Sequence, residues 1–87
     1  MTDSLTEQSE SLATLDAISA VRQAVTDGTV RATREAAGLT QADMARAIGC
    51  QPSAVAQWEA GRRLPSGVRA IRYAEALAVC LRAVESD

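Results

Sequence analysis

Apolar residues recur three and four positions apart along most of this chain, and each run stops at a glycine or a polar turn. Leu12, Leu15, Ile18, Val21 and Val25 predict an amphipathic helix that closes near residue 26. The polar, acidic residues 1–11 before it read as a flexible tail. Asp27-Gly28-Thr29 interrupts the pattern, and a second helix follows from Thr29 to Ala37, with Gly38 as its C′ residue. Thr40 with Asp43 three residues on is a variant of the capping box, so a helix opens at residue 41. It turns Met44, Ala45 and Ile48 inward and ends at Gly49. Pro52 suits the first turn of the next helix, which runs to Glu59 with Val55 and Trp58 inward. Ala60-Gly61 stops it, and Arg62 to Ser66 form a loop. Val68, Ile71, Ala74, Ala78, Leu81 and Val84 then trace a stripe on a last helix of about 17 residues. No strand pattern appears. The expected fold is all-α, with five helices in a single domain over residues 12–87 and a motif at 41–60.

Composition narrows this picture. In 87 residues there is room for one domain, and 47% hydrophobic content is enough for a globular core. With no Phe, one Trp and one Tyr, that core has to be built from small and aliphatic side chains. No apolar run is long enough for a membrane span, and the N-terminus lacks the pattern of a secretory signal. Without His, imidazole catalysis and ligation are excluded. Cys50 and Cys80 fit no metal spacing and read as free thiols in a reducing compartment, Cys50 in the core and Cys80 beside the last stripe. No cofactor and no small-molecule ligand is expected.

The net charge of −2 argues against a nucleic-acid partner until its distribution is considered. Residues 1–20 carry Asp3, Glu7, Glu10 and Asp16 and no basic residue, whereas residues 21–87 hold all nine basic residues against seven acids. Every basic residue is Arg. Its planar fork suits phosphates and base edges better than an ammonium does.

Two helices of eight residues joined by a tight turn cannot be stable alone and have to pack on each other. Small Ala45 permits the crossing, Gly49 supplies a positive φ, and Met44, Ile48, Cys50, Val55 and Trp58 form the expected shared core. This is a helix-turn-helix. With Val55 and Trp58 buried, Ser53, Ala56, Gln57 and Ala60 point outward. A helix with so thin a face fits the DNA major groove, where Gln57 can bond an adenine edge and Ser53 can serve several bases. The start of the other helix, at Thr40 and Gln41, offers free N–H groups to a phosphate. Arg62 and Arg63 follow the reading helix and are placed to hold the backbone on its other side. Trp58 reads as core rather than as a stacking platform, and Arg69 and Arg72 as a solvated face.

The segment REAAGLTQADMARAIGCQPSAVAQWEAGRRLP, residues 34–65, resembles the lambda-repressor/Cro-like (xenobiotic-response-element) helix-turn-helix family. The likeness is close over that segment and looser over residues 29–84. The register is carried by Gly38-Leu39-Thr40-Gln41, Ala45, Gly49 and Trp58-Glu59-x-Gly61-x3-Pro65. The resemblance implies a transcriptional regulator that binds operator DNA in the major groove. It adds Gln51 and Pro52, at the start of the reading helix, to the base-reading set, and it pairs Arg34 with Glu59. Two features depart from the family: Gln51 stands where a Ser or Thr cap is usual, and one long helix replaces the usual final two.

One Gln, one Ser and small apolar groups discriminate weakly between sequences, so a homodimer reading two half-sites is expected. Leu77, Leu81 and Val84 are the candidates for its contact. The functional expectation is a repressor or Cro-like protein of phage or prokaryotic type, acting in the cytoplasm on double-stranded operator DNA. The alternative is a protein-interaction module, such as an antitoxin covering a toxin. No nucleophile–base pair, phosphate loop or metal set points to an enzyme.

Overall fold

The computed structural model describes the backbone of residues 3–85 and the side chains of residues 12–85. Five helices follow in order: α1 Asp3–Asp27, α2 Thr29–Ala36, α3 Gln41–Ile48, α4 Pro52–Glu59 and α5 Gly67–Glu85. No strand occurs among the described residues, and the fold is all-α. α5 is the central support: α1, α2 and α3 all pack on it, while α4 packs mainly on α3.

The local signals act as their chemistry requires. The Asp27 carboxylate accepts from both the N–H and the hydroxyl of Thr29, which opens α2 behind a left-handed Gly28. At α3 the capping box is reciprocal: Asp43 N–H donates to Thr40 Oγ1 at 3.0 Å, and Thr40 N–H donates to Asp43 Oδ2 at 2.9 Å. Gly49, at φ 85°, closes α3 with its N–H on the Ala45 carbonyl.

α1 is longer than its apolar pattern predicts. It starts at Asp3, so residues 3–11, expected as a tail, are helical. Met1 and Thr2 lie outside the described residues. No Gly or Pro interrupts that segment, and Asp3, Glu7 and Glu10 lie toward the positive end of the helix dipole. The inward face differs as well. Val21 and Val25 are buried and Ile18 partly so, but Leu12 and Leu15 are 62% and 61% exposed. Ala13, Ala17, Ala20 and Ala24 of α1 line shallow grooves between it and α5.

The stripe on α5 is corrected in the same way. Ala70, Tyr73, Leu77 and Cys80 are buried, whereas Val68, Leu81 and Val84 of the expected stripe are exposed. Apolar residues lie on more than one face of this helix, so periodicity alone could not choose the buried one. Contacts with three other helices chose it. Cys80 therefore sits in the core, its Sγ 4.0 Å from Met44 Sδ, and Cys50, expected in the core, is only half-buried. Burial pushes both thiols up from their usual pKa.

Tyr73 stacks obliquely on Trp58, with ring centroids 5.2 Å apart. The pair is the only aromatic part of a core otherwise made of Val, Ile, Leu, Met, Ala and Cys. The Tyr73 hydroxyl is buried with no hydrogen-bond partner, and burial pushes its pKa far upward. An orphan hydroxyl costs desolvation without return. Tyr73→Phe should therefore leave the Tm unchanged or raise it, as followed by circular dichroism. A clear fall would mean that the hydroxyl has a partner in solution.

Candidate nucleic-acid interface

α3, the Gly49 turn and α4 form the helix-turn-helix. α4 buries Val55 and Trp58 against α3 and the core. On the opposite side Gln51, Pro52, Ser53 and Gln57 are exposed, Ala60 is exposed and Ala56 is half-buried. Gln51 takes the N-cap position in extended conformation but makes no side-chain capping bond. Ser53 and Gln57 lie one turn apart with no intramolecular side-chain partner among the described residues, so their polar atoms face solvent. Arg62 and Arg63 are exposed just past Gly61 and are likewise unpaired. By contrast, Arg31 and Arg46 are neutralised by Glu35 and Asp43 on their own helices.

Behind this face lies a buried ionic cluster. Arg34 of α2 donates through Nε to Glu59 Oε2 at 2.6 Å and through Nη2 to Glu59 Oε1 at 3.0 Å. Its Nη1 donates to the Leu39 carbonyl at 2.7 Å. The side chains are only 10% and 4% exposed. Gln41 completes the cluster, its Nε2 donating to Glu59 Oε1 at 3.0 Å. Burial pushes the Glu59 carboxyl up, but the hydrogen bonds from Arg34 and Gln41 and the Arg34 charge outweigh it, and the net shift is downward.

Sequence reasoning missed two parts of this arrangement. Gln41 was read only as a phosphate contact, yet its amide is engaged with Glu59; nothing in helical spacing reports a bond across 18 residues. Arg72 is exposed, as a solvated face requires, but its Nη1 also donates to the Ile48 carbonyl at the end of α3. Nothing in helical spacing announces that bond, because the two groups become neighbours only when α3 and α5 have docked.

A sequence model of the helix-turn-helix family matches residues 30–81, more than half of the chain. The chain belongs to the lambda-repressor/Cro-like helix-turn-helix family. Neither the curated proteins nor the solved structures contain a match to it. The family assignment makes this a DNA-binding helix-turn-helix domain. All of α1 lies outside the matched span. No helix among the described residues is long and apolar enough to cross a membrane.

The ionic cluster predicts a stability signature. Glu59→Gln leaves the buried Arg34 charge with only the half-exposed Glu35 at 3.7 Å as a counter-charge, which should cost up to about 3 kcal/mol and lower the Tm by about 10 °C for a domain of this size. A second expectation follows from pH. Because the carboxyl is held below its ordinary value of 4.5 in the folded protein, its contribution is complete above that value. It is lost as the pH falls through the depressed folded value. Thermal melts of wild type and Glu59→Gln should therefore converge on acidification below about pH 4.5. A constant gap would locate the effect elsewhere.

Proposed function

We propose that this protein is a sequence-specific transcription regulator of repressor or Cro type that places α4 in the major groove of operator DNA. The observation that carries this reading is the division of α4. Val55 and Trp58 are consumed by the core, and a thin, polar, unbonded face remains at Ser53 and Gln57. Gln57 and Ser53 read base edges, with Gln51 and Pro52 at the leading end; Pro52 can offer only apolar contact, suited to a thymine methyl. Arg62 and Arg63 hold phosphates on one side. On the other side Thr40 and Gln41 act through the start of α3. The Gln41 amide is occupied by Glu59, so its contact runs through the free N–H groups of the first turn.

A homodimer on two half-sites is part of the same reading. Leu77 is already buried within its own chain, so the contact falls to Leu81 and Val84, 49% and 40% exposed, with Leu12 and Leu15 of α1. The site of action is the cytoplasm of a bacterium or of a phage-infected host. A second reading, an antitoxin or other protein-interaction module, draws on one observation: α1 lies wholly outside the family span and exposes Leu12 and Leu15. Recovery of the protein in a stoichiometric complex with a different protein, with no selected DNA, would favour it.

Selection of DNA from a random pool, followed by binding at several salt concentrations, tests the proposal. Gln57→Ala should weaken the selected site by about 1–3 kcal/mol and hardly change binding to scrambled DNA. Arg62→Ala and Arg63→Ala should weaken all sequences alike and flatten the salt dependence by about one unit per lost phosphate contact. With a net charge of −2 there is no general attraction to mask these local effects. If Gln57→Ala weakens every sequence equally, α4 is not the reading helix.

A further inference from the structure

The last carbonyl of α3 lacks the partner a helix would give it. Ile48 is fully buried. Were the helix to continue, its oxygen would accept from the N–H of residue 52, and Pro52 has none. A buried carbonyl without a donor is costly. The donor comes from α5, where Arg72 Nη1 lies 3.2 Å from the Ile48 oxygen. The same nitrogen covers Gly49, where an added Cβ would approach it to 2.8 Å. Gly49 is thus required by its positive φ, and its missing Cβ leaves room for the guanidinium lying on it.

This grip matters because α4 is held differently at its two ends. At the C-terminal end, Glu59 is clamped by Arg34, and Trp58 lies against Tyr73. The N-terminal end has no capping side chain, and α4 packs mainly on α3. The direction of that end is therefore set by the Gly49 turn. It is also the end that carries Gln51, Pro52 and Ser53.

We propose that Arg72 is a positioning residue for DNA reading: by holding the α3–α4 turn, it sets the angle at which α4 meets the bases. This rests on the assignment of α4 as the reading helix. A helix that is present but loosely aimed keeps its phosphate contacts and loses alignment with base edges.

The test compares affinity for the selected duplex with affinity for a scrambled one, in wild type, Arg72→Leu, Arg72→Lys and Arg82→Leu. Arg82→Leu removes the same charge from the last turn of α5. Arg72→Leu should lower the ratio of the two affinities about tenfold, as one misaligned base contact would. Arg72→Lys, which still carries a donor, should recover part of that ratio, and Arg82→Leu should leave it unchanged. In the free protein, amide exchange at Gly49 and Cys50 should quicken in Arg72→Leu alone. If Arg72→Leu does not fold, Arg72→Gln takes its place with the same expected fall in ratio. An unchanged ratio overturns the inference. So does an equal loss on both duplexes with a flatter salt dependence, which would make Arg72 a phosphate contact. A wild type that prefers no duplex defeats the reading of α4 itself, and does so before any substitution is made.

Discussion

The buried pair between Arg34 and Glu59 is the constraint on which the rest of this small domain depends. Glu59 closes α4, where a carboxylate meets the negative end of the helix dipole. It is tolerated there because Arg34 meets it with a two-pronged bond. The same guanidinium holds the Leu39 carbonyl, and the same carboxylate holds Gln41. One pair thereby ties α2, the loop before α3, the start of α3 and the end of α4 into a single unit. Helices of eight residues have little stability alone, so this cross-link and the shared core do what length cannot. A buried pair adds little over a well-packed apolar contact but is costly to break. Its bidentate geometry also fixes which faces meet.

α5 supplies the remaining constraints. Tyr73 packs on Trp58 from below α4, Cys80 meets Met44 of α3, and Arg72 closes the end of α3. Arg22 of α1 donates to the Pro65 carbonyl in the loop that leads into α5, and Pro65 itself is buried. The helix-turn-helix is thus held from behind at several points, while the outer face of α4 makes no intramolecular side-chain polar bond among the described residues. The core contacts and the proposed reading face occupy opposite sides of α4. That division leaves the outer face free to carry small and polar residues that would contribute nothing to a core.

The electrostatics follow the same division. Arg31, Arg34 and Arg46 are matched by nearby carboxylates, and the acids of α1 lie in its first half and middle. Asp43, which caps α3, also places a negative charge in the first turn that would meet a phosphate. Beside the proposed reading face, Arg62, Arg63 and the N–H groups of α3 are left as positive groups with no carboxylate partner among the described residues, a local field on a protein of net negative charge.

The sequence by itself determined the helices, their stops and the motif. Thr40 with Asp43, Gly49, Pro52 and Gly61 are local signals, and local chemistry acts the same way whatever packs nearby. Val55 and Trp58 were legible as the inward side of α4 because they are its bulkiest apolar residues. The faces of α1 and α5 were not legible. Both helices carry apolar residues on more than one face, so Leu12, Leu15 and Val84 fitted an inward stripe as well as Tyr73 and Cys80 did. Only the simultaneous packing of α1, α2 and α3 on α5 selected the buried arc. Long-range polar bonds belong to the same class. Nothing in the spacing of Gln41 or Arg72 announces Glu59 or the Ile48 carbonyl, because those partners become neighbours only when the helices have docked.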